Sequence, residues 1–271
     1  MGDVALPAGY RRSMSDPSSS TASVDEAARW LTAARGVLAL TGAGISTDSG
    51  IPDFRGPNGV WTRDPQAAKL FTLDAYVADP AVRRRSWIGR RDHPAWSAQP
   101  NGGHASLVEL ERSGRLAAIV TQNIDGLHQR AGNSPDKVIE IHGTMSEVEC
   151  LSCDDRTGMD EALARVAAGE DDPDCRLCGG ILKAATISFG QSLHGPTLRR
   201  AVRTAERCDL LLAVGTSLTV QPAAGLVEIA AEAGARVVIV NAAATPYDPI
   251  ADAVLREPIG TVLPALVRQL I

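Results

Sequence analysis

Four cysteines in two pairs constrain this chain more than any other feature. Cys150-x2-Cys153 is followed, after 21 intervening residues, by Cys175-x2-Cys178. Two such knuckles bring four thiolates to one tetrahedral centre without strain, the usual arrangement of a structural zinc site. Cys150, Cys153, Cys175 and Cys178 are therefore the expected ligands of one structural Zn2+. Four protein ligands leave no open position, so the metal should hold structure and do no chemistry. Free loop thiols or a redox pair are the plainer alternatives, but two pairs around a polar excursion are an odd way to build either. The surrounding segment, about 144–185, carries several acids and Gly179-Gly180 and has little apolar spacing. It reads as a small zinc module inserted into a larger unit. Such a module depends on metal binding, which contributes about 10–16 kcal/mol in zinc-finger peptides.

The larger unit is written in short, continuous apolar runs at 37–40, 116–120, 210–214 and 236–240, with a further candidate at 138–141. Runs without alternation suit parallel strands covered on both faces. Helical spacing recurs between them, at 106–112, 197–207 and 223–233. Alternating strand and helix implies an α/β fold: a Rossmann-like parallel sheet with helices on both faces, plus the small inserted zinc-binding domain. Ligands in such sheets bind outside the carboxyl ends of the strands. The polar residues at 41–46, 121–125, His142, 215–217 and Asn241 therefore matter most. Ahead of the first strand, Ser23-x-x-Glu26 resembles a capping box, followed by Ala27, Trp30, Leu31 and Ala34 at helical spacing and Gly36 as a stop. Residues 1–22, with Ser18-Ser19-Ser20, read as a disordered leader, and 23–271 as one domain. A second, helical excursion is expected at about 56–101, rich in Pro, Arg and Trp.

Composition excludes several classes. The formal net charge of −5 gives no general attraction to nucleic acid. No run reaches the roughly 18 apolar residues of a spanning helix, so no membrane partner is expected. Five cysteines without an export signal point to a reducing compartment, and Cys208, just before a strand, reads as a small core residue. Lysine occurs only at Lys69, Lys137 and Lys183, against abundant arginine and alanine. That balance suggests a GC-rich bacterial genome and hence a cytoplasmic protein. The oligomeric state stays open.

Gly42-Ala43-Gly44 follows a strand, the context in which glycine lets a backbone turn tightly against a pyrophosphate. The next glycine is Gly50, so the pattern is not G-x-G-x-x-G. No acidic residue ends a second strand about 20 residues on to hold a ribose. An ordinary hydride-transferring dehydrogenase is therefore disfavoured.

The residues around that turn carry a resemblance. Gly42-Ala43-Gly44-Ile45-Ser46-x-x-Ser49-Gly50-Ile51-Pro52-Asp53-Phe54-Arg55 resembles the signature of the sirtuins, NAD-dependent protein lysine deacylases. Thr121-Gln122-Asn123-Ile124-Asp125-Gly126-Leu127-His128, Glu140-Ile141-His142-Gly143 and Gly215-Thr216-Ser217-Leu218-x-Val220-x-Pro222-Ala223 resemble three further motifs of that family. They occur in order, with the cysteine pairs between the third and fourth. Arg84-Arg85-Ser86-Trp87 and Gln99-Pro100-Asn101-x-x-His104 are similar to the class II branch. Members that remove acidic acyl groups carry Tyr-x-x-Arg. The nearest match is Trp87-x-x-Arg90, which lacks the hydroxyl, so desuccinylation is not expected.

The resemblance implies NAD as co-substrate, acylated lysine side chains of proteins as partners, and deacetylation as the default activity. The acyl oxygen attacks C1′ of the nicotinamide ribose, nicotinamide leaves, and 2′-O-acyl-ADP-ribose results. It implies His142 as the catalytic base, with a histidine's ordinary pKa near 6.5 suited to the task. A bland reading makes it a strand-end histidine bonded to a carbonyl. Asn123 and Asp125 would hold the nicotinamide ribose and carboxamide with help from Gln122 and Ile124. The bland reading makes Asn123 and Asp125 helix caps. Phe54 would shield the reacting ribose, Arg55 would support the phosphates and the mobile loop, and Asp53 would contact the cofactor. Gly42, Ala43, Gly44, Ile45, Ser46, Gly215, Thr216 and Ser217 would meet phosphates or ribose, Asn241 would hold the adenosine ribose, and Ile259 would contact the cofactor. Phe189, Gly190 and Val220 would line the acyl-lysine tunnel. His104 and His128 are expected to be structural, His93 and His194 to lie on the surface, and the arginine run 83–85 to be a solvated face. A mono-ADP-ribosyltransferase and a non-catalytic NAD sensor are the competing functions.

Overall fold

Successive residues of the first strand face two different cores, which is why its sequence shows no polar alternation. Val37 and Ala39 join one cluster, Leu38 and Leu40 the other, and all five residues of the strand are buried. The computed structural model describes residues 22–56, 59–64 and 72–270. Its strands, in chain order, are β1 (Val37–Thr41), β2 (Leu116–Thr121), β3 (Val138–Glu140), β4 (Gly143–Cys150), β5 (Arg156–Gly158), β6 (Leu182–Thr186), β7 (Leu210–Val214), β8 (Arg236–Val240) and β9 (Ala253–Leu255). The large sheet runs β3-β2-β1-β7-β8-β9 with every pair parallel. Helices Val24–Ala33, Gly102–Arg112 and Ile259–Val267 cover one face; Gly195–Ala205 and Leu226–Glu232 cover the other. Strand order reverses between β1 and β7, and that switch point opens the crevice in which such sheets bind ligands.

The five expected strands are present. The sixth, β9, spans three residues and was not among the expected runs. The helix expected from 106 starts at Gly102, because Asn101 caps it. Asn101 Oδ1 accepts the Gly103 N–H (2.9 Å), and His104 Nδ1 accepts the Asn101 N–H (3.3 Å). Near the start of the chain, Ser23 Oγ accepts the Glu26 N–H at 3.2 Å, one half of the expected box. That helix ends at Ala33, short of Gly36, and Gly36 instead donates its N–H to Asp209 Oδ1 at 3.0 Å. The leader expected over 1–22 lies outside the described residues except for Ala22, which packs against the core.

A second, antiparallel sheet, β5-β4-β6, takes in the cysteine-rich segment together with helix Met159–Ala167. Its core includes Val148, Cys150, Met159, Cys175 and Leu182, and also Trp87 from helix Pro80–Arg91. Trp87 is 1% exposed, so it is a core side chain of this lobe. Arg83 departs from the solvated face expected of it. Its Nε donates to Asp172 Oδ2 at 2.8 Å and its Nη1 to the Tyr76 and Val77 carbonyls, while Arg84 and Arg85 are exposed.

Candidate functional site

At the switch point the turns after β1 and β7 press directly on one another. The Gly42 N–H donates to Val214 O (3.1 Å) and the Gly44 N–H to Gly215 O (2.8 Å). A Cβ on Gly44 would lie 2.8 Å from Gly215 Cα. One on Gly215, which has φ +61°, would lie 2.4 Å from Ile45 N. These glycines are thus required by backbone against backbone. Sequence reasoning assigned them to the approach of a pyrophosphate, yet the Gly44 amide is already engaged by protein.

Beside this contact lies a polar network from three strand ends. Asn123 is 9% exposed, and its Nδ2 donates to Gly42 O and Ser46 Oγ, each at 3.1 Å. Because a carbonyl can only accept, the amide orientation is fixed. Both N–H groups are engaged, and the Asn123 side-chain carbonyl keeps accepting capacity. Ser46 Oγ donates to Asp125 Oδ2 at 2.7 Å, so its proton is committed inside the network and not offered to a phosphate. Asp125 Oδ1 also accepts the Leu127 N–H at 3.0 Å, which starts helix Leu127–Ala131. Asp125 thus precedes the N-cap, Gly126, with one carboxylate oxygen on the helix start and the other in the network. Gln122 Nε2 donates to Thr216 Oγ1 at 2.9 Å, joining the ends of β2 and β7. Ser217 Oγ is hydrogen-bonded to Thr219 Oγ1 at 2.9 Å.

His142 follows the end of β3, half-buried, with Nδ1 3.2 Å from Gln122 O. That oxygen can only accept, so Nδ1 carries the proton and a neutral ring presents its lone pair at Nε2. Burial holds the His142 pKa below its ordinary value, against the opposing hydrogen bond to Gln122. The ring is accordingly neutral near pH 7 and able to take a proton.

His128 and His104 form a buried pair behind the site, 1% and 0% exposed with ring centroids 5.1 Å apart. Thr41 Oγ1 is hydrogen-bonded to His128 Nε2 at 2.9 Å. Burial pushes the pKa of His128 down to about 3 and that of His104 to about 4. Of the two histidines expected on the surface, His194 is exposed, whereas His93 is half-buried and its Nδ1 accepts the Ala95 N–H.

The following contacts of the remaining expected residues lie outside this hydrogen-bond network. Asn241 follows β8, with Nδ2 donating to Ala243 O at 2.8 Å. Ile259 begins the last long helix and packs against the core near Gly103 and Ile45. Asp53 Oδ1 accepts the Gly56 N–H at 2.8 Å. Phe54 and Phe189 are exposed, 38% and 43%, and both rings contact Trp61. Val220 is half-buried, and its carbonyl accepts the Ala224 N–H. Sequence reasoning missed Asn101 as a site residue. Its Nδ2 donates to Ile45 O (2.8 Å) and Ser49 Oγ (2.9 Å), clamping the 3-10 turn Ala43–Ser49. The Asn101-x-x-His104 spacing was the available signal.

The four paired cysteines converge, with all four sulfurs within 4.8 Å of one another. Cys150 and Cys178 Sγ are 3.5 Å apart, and Cys153 and Cys175 Sγ 3.7 Å. Sulfurs placed about 2.3 Å from a tetrahedral Zn2+ stand roughly 3.8 Å apart, so the cluster fits that ion. Disulfides, at about 2.05 Å, are far shorter. Cys208 stands elsewhere, buried, its thiol pushed up to about 12 by that burial.

Comparison with known proteins agrees with this architecture. The model of the Sir2 family matches residues 42–222. NAD-dependent protein deacetylase 2 of Streptomyces coelicolor is 55% identical over 234 residues, covering 86% of this chain and 97% of that protein. A Sir2 structure with a p53 peptide and NAD+ superimposes with a TM-score of 0.81 at 34% identity, covering 92% of this chain and 98% of that one. A second structure, of Sir2Tm bound to a propionylated peptide, gives a TM-score of 0.80 at 33% identity, covering 91% and 98%.

Proposed function

The chain belongs to the Sir2 family, and from that premise we propose how its crevice performs NAD-dependent protein lysine deacetylation. The residues fit the co-substrate by polar chemistry: the Asn123 side-chain carbonyl as an acceptor, with the amides and hydroxyls of Gln122, Thr216, Ser217 and Asn241 around a switch point, suits ribose and phosphate. Bound NAD supplies an electrophilic ribose carbon and a nicotinamide leaving group. Everything else falls to the protein's own side chains.

Asn123, with both N–H groups held by Gly42 O and Ser46 Oγ, presents its carbonyl oxygen as a fixed acceptor for a hydroxyl or carboxamide. Asp125, oriented by Ser46 and the Leu127 amide, adds the one carboxylate of the network. His142 Nε2 takes a proton from a ribose hydroxyl, while the Gln122 carbonyl keeps the ring in the tautomer that can do so. Phe54 covers the site against water, and Phe189, Gly190 and Val220 line an apolar channel that favours a neutral acyl-lysine over a free ammonium. Cys150, Cys153, Cys175 and Cys178 would hold a structural Zn2+ with no part in the chemistry.

The observation that carries the reading of the site is His142: a half-buried imidazole at a strand end, fixed by a carbonyl, with one nitrogen left to act as base. We infer further that residues 56–101 and 144–185 are insertions forming the second lobe. Acyl preference is inferred to be neutral, with placement in the class II branch. A bacterial cytoplasm is the inferred setting. Relatives in Streptomyces and Bradyrhizobium support the bacterial part, and no helix among the described residues is long and apolar enough to cross a membrane.

Incubating the zinc-loaded protein with NAD and acetyl-lysine peptides, read by mass spectrometry, tests the function. Loss of an acetyl group with release of nicotinamide is expected. Addition of ADP-ribose to the peptide, or NAD left intact across all peptides, would overturn it.

A further inference from the structure

Between Phe54, expected on the cofactor side of the crevice, and Phe189, expected on the substrate side, stands the ring of Trp61, on the short helix Val60–Arg63. Its centroid lies 4.8 Å from the Phe54 ring and 5.5 Å from the Phe189 ring, and the Arg55 guanidinium sits 4.4 Å above it. Its backbone N–H donates to Phe54 O at 3.0 Å, and the Val60 N–H donates to Asp53 O at 2.9 Å. Gly59 makes that closeness possible, since a Cβ there would lie 2.5 Å from Phe54 C. On the other side, Phe189 O accepts the Leu73 N–H at 3.0 Å, and Ile187, two residues earlier, donates its N–H to the carbonyl of His142. Among the described residues the buried Trp61 Nε1–H has no acceptor. Ring contacts, not a side-chain hydrogen bond, are what hold the indole among the described residues. The gain is width: the bicyclic ring reaches both phenylalanines while offering a face to the arginine.

We propose that Trp61 is a positioning residue that couples the two halves of the site, so that acyl-lysine bound against Phe189 orders Phe54 and Arg55 for NAD. The proposal rests on the deacetylase reading of the crevice. Coupling of this kind is reciprocal: peptide tightens the cofactor by the factor with which cofactor tightens peptide.

The test is calorimetric titration of the zinc-loaded protein with a carbocyclic NAD analogue that cannot lose nicotinamide, with and without saturating acetyl-lysine peptide. In the unaltered protein, peptide should lower the analogue's Kd by about fivefold or more. Trp61→Leu should bring that ratio close to one while changing the peptide-free Kd much less. Trp61→Phe, which keeps an aromatic ring, should retain part of the ratio. Should the leucine variant fail to fold, the indole's own emission, taken as the unaltered protein minus Trp61→Phe, should shift when peptide alone is added. A wild-type ratio of one, an unchanged ratio in Trp61→Leu, or no emission change would each overturn the coupling. Absence of deacetylation by the unaltered protein would instead overturn the reading beneath it.

Discussion

The buried pair His128 and His104 makes the large lobe sensitive to mild acid. In the unfolded chain each histidine binds a proton near pH 6.5. In the folded protein burial defers protonation to about 3 for His128 and about 4 for His104. Acid therefore favours the unfolded state: stability is whole above about pH 6.5 and drains as pH falls toward the folded values. Between pH 7 and pH 5 each histidine costs about 2 kcal/mol, or about 4 kcal/mol for the pair. A domain of this kind is stable by roughly 5–15 kcal/mol, so the loss is large. Urea unfolding at pH 5, 6 and 7 measures it, and comparison with His128→Gln isolates one histidine. Carboxylates and zinc release respond to acid in both proteins alike and cancel in the difference. The variant is expected to lose about 2 kcal/mol less than the unaltered protein over this interval. An equal loss in both would refute the reasoning that His128 is held neutral by burial.

Further outcomes follow from the crevice and the metal cluster. His142→Ala should reduce turnover by a hundredfold or more while leaving NAD affinity within a fewfold, the range expected for loss of a general base; steady-state rates and calorimetry check this, and near-normal rates would remove His142 from the role. Because burial lowers the His142 pKa, the acid limb of kcat/KM should fall with an apparent pKa below 6.5, and a limb centred above that value would contradict a neutral, buried base. Gly44→Ala places a Cβ against Gly215 and should destabilise the protein by about 1–3 kcal/mol, measured by urea unfolding; no change would mean that the two turns separate freely. Cys153→Ala should yield zinc-free or insoluble protein, and metal analysis showing a folded, active, zinc-free enzyme would refute the structural assignment.

Much of this protein was legible along the chain, because its most specific features are local. The C-x2-C pairs named the metal ligands, since ligand spacing is a property of a few neighbouring residues. The continuous runs at β1, β2, β7 and β8 gave a parallel sheet, since strands buried on both faces leave no polar alternation. The strand-end motifs then pointed to the crevice. What the chain could not reveal depends on residues far apart in sequence meeting in space. Gly44 against Gly215 adds a packing requirement to an apparent phosphate glycine. Ser46 gives its proton to Asp125, 79 positions away, and a hydroxyl has only one to give. Arg83 finds Asp172, and Trp87 finds the zinc lobe's core, because burial is decided by the neighbouring layer and not by the helix itself. The sequence thus determined which chemistry is present and in what order. Only the tertiary structure decided which groups are already engaged, and so which remain free to act.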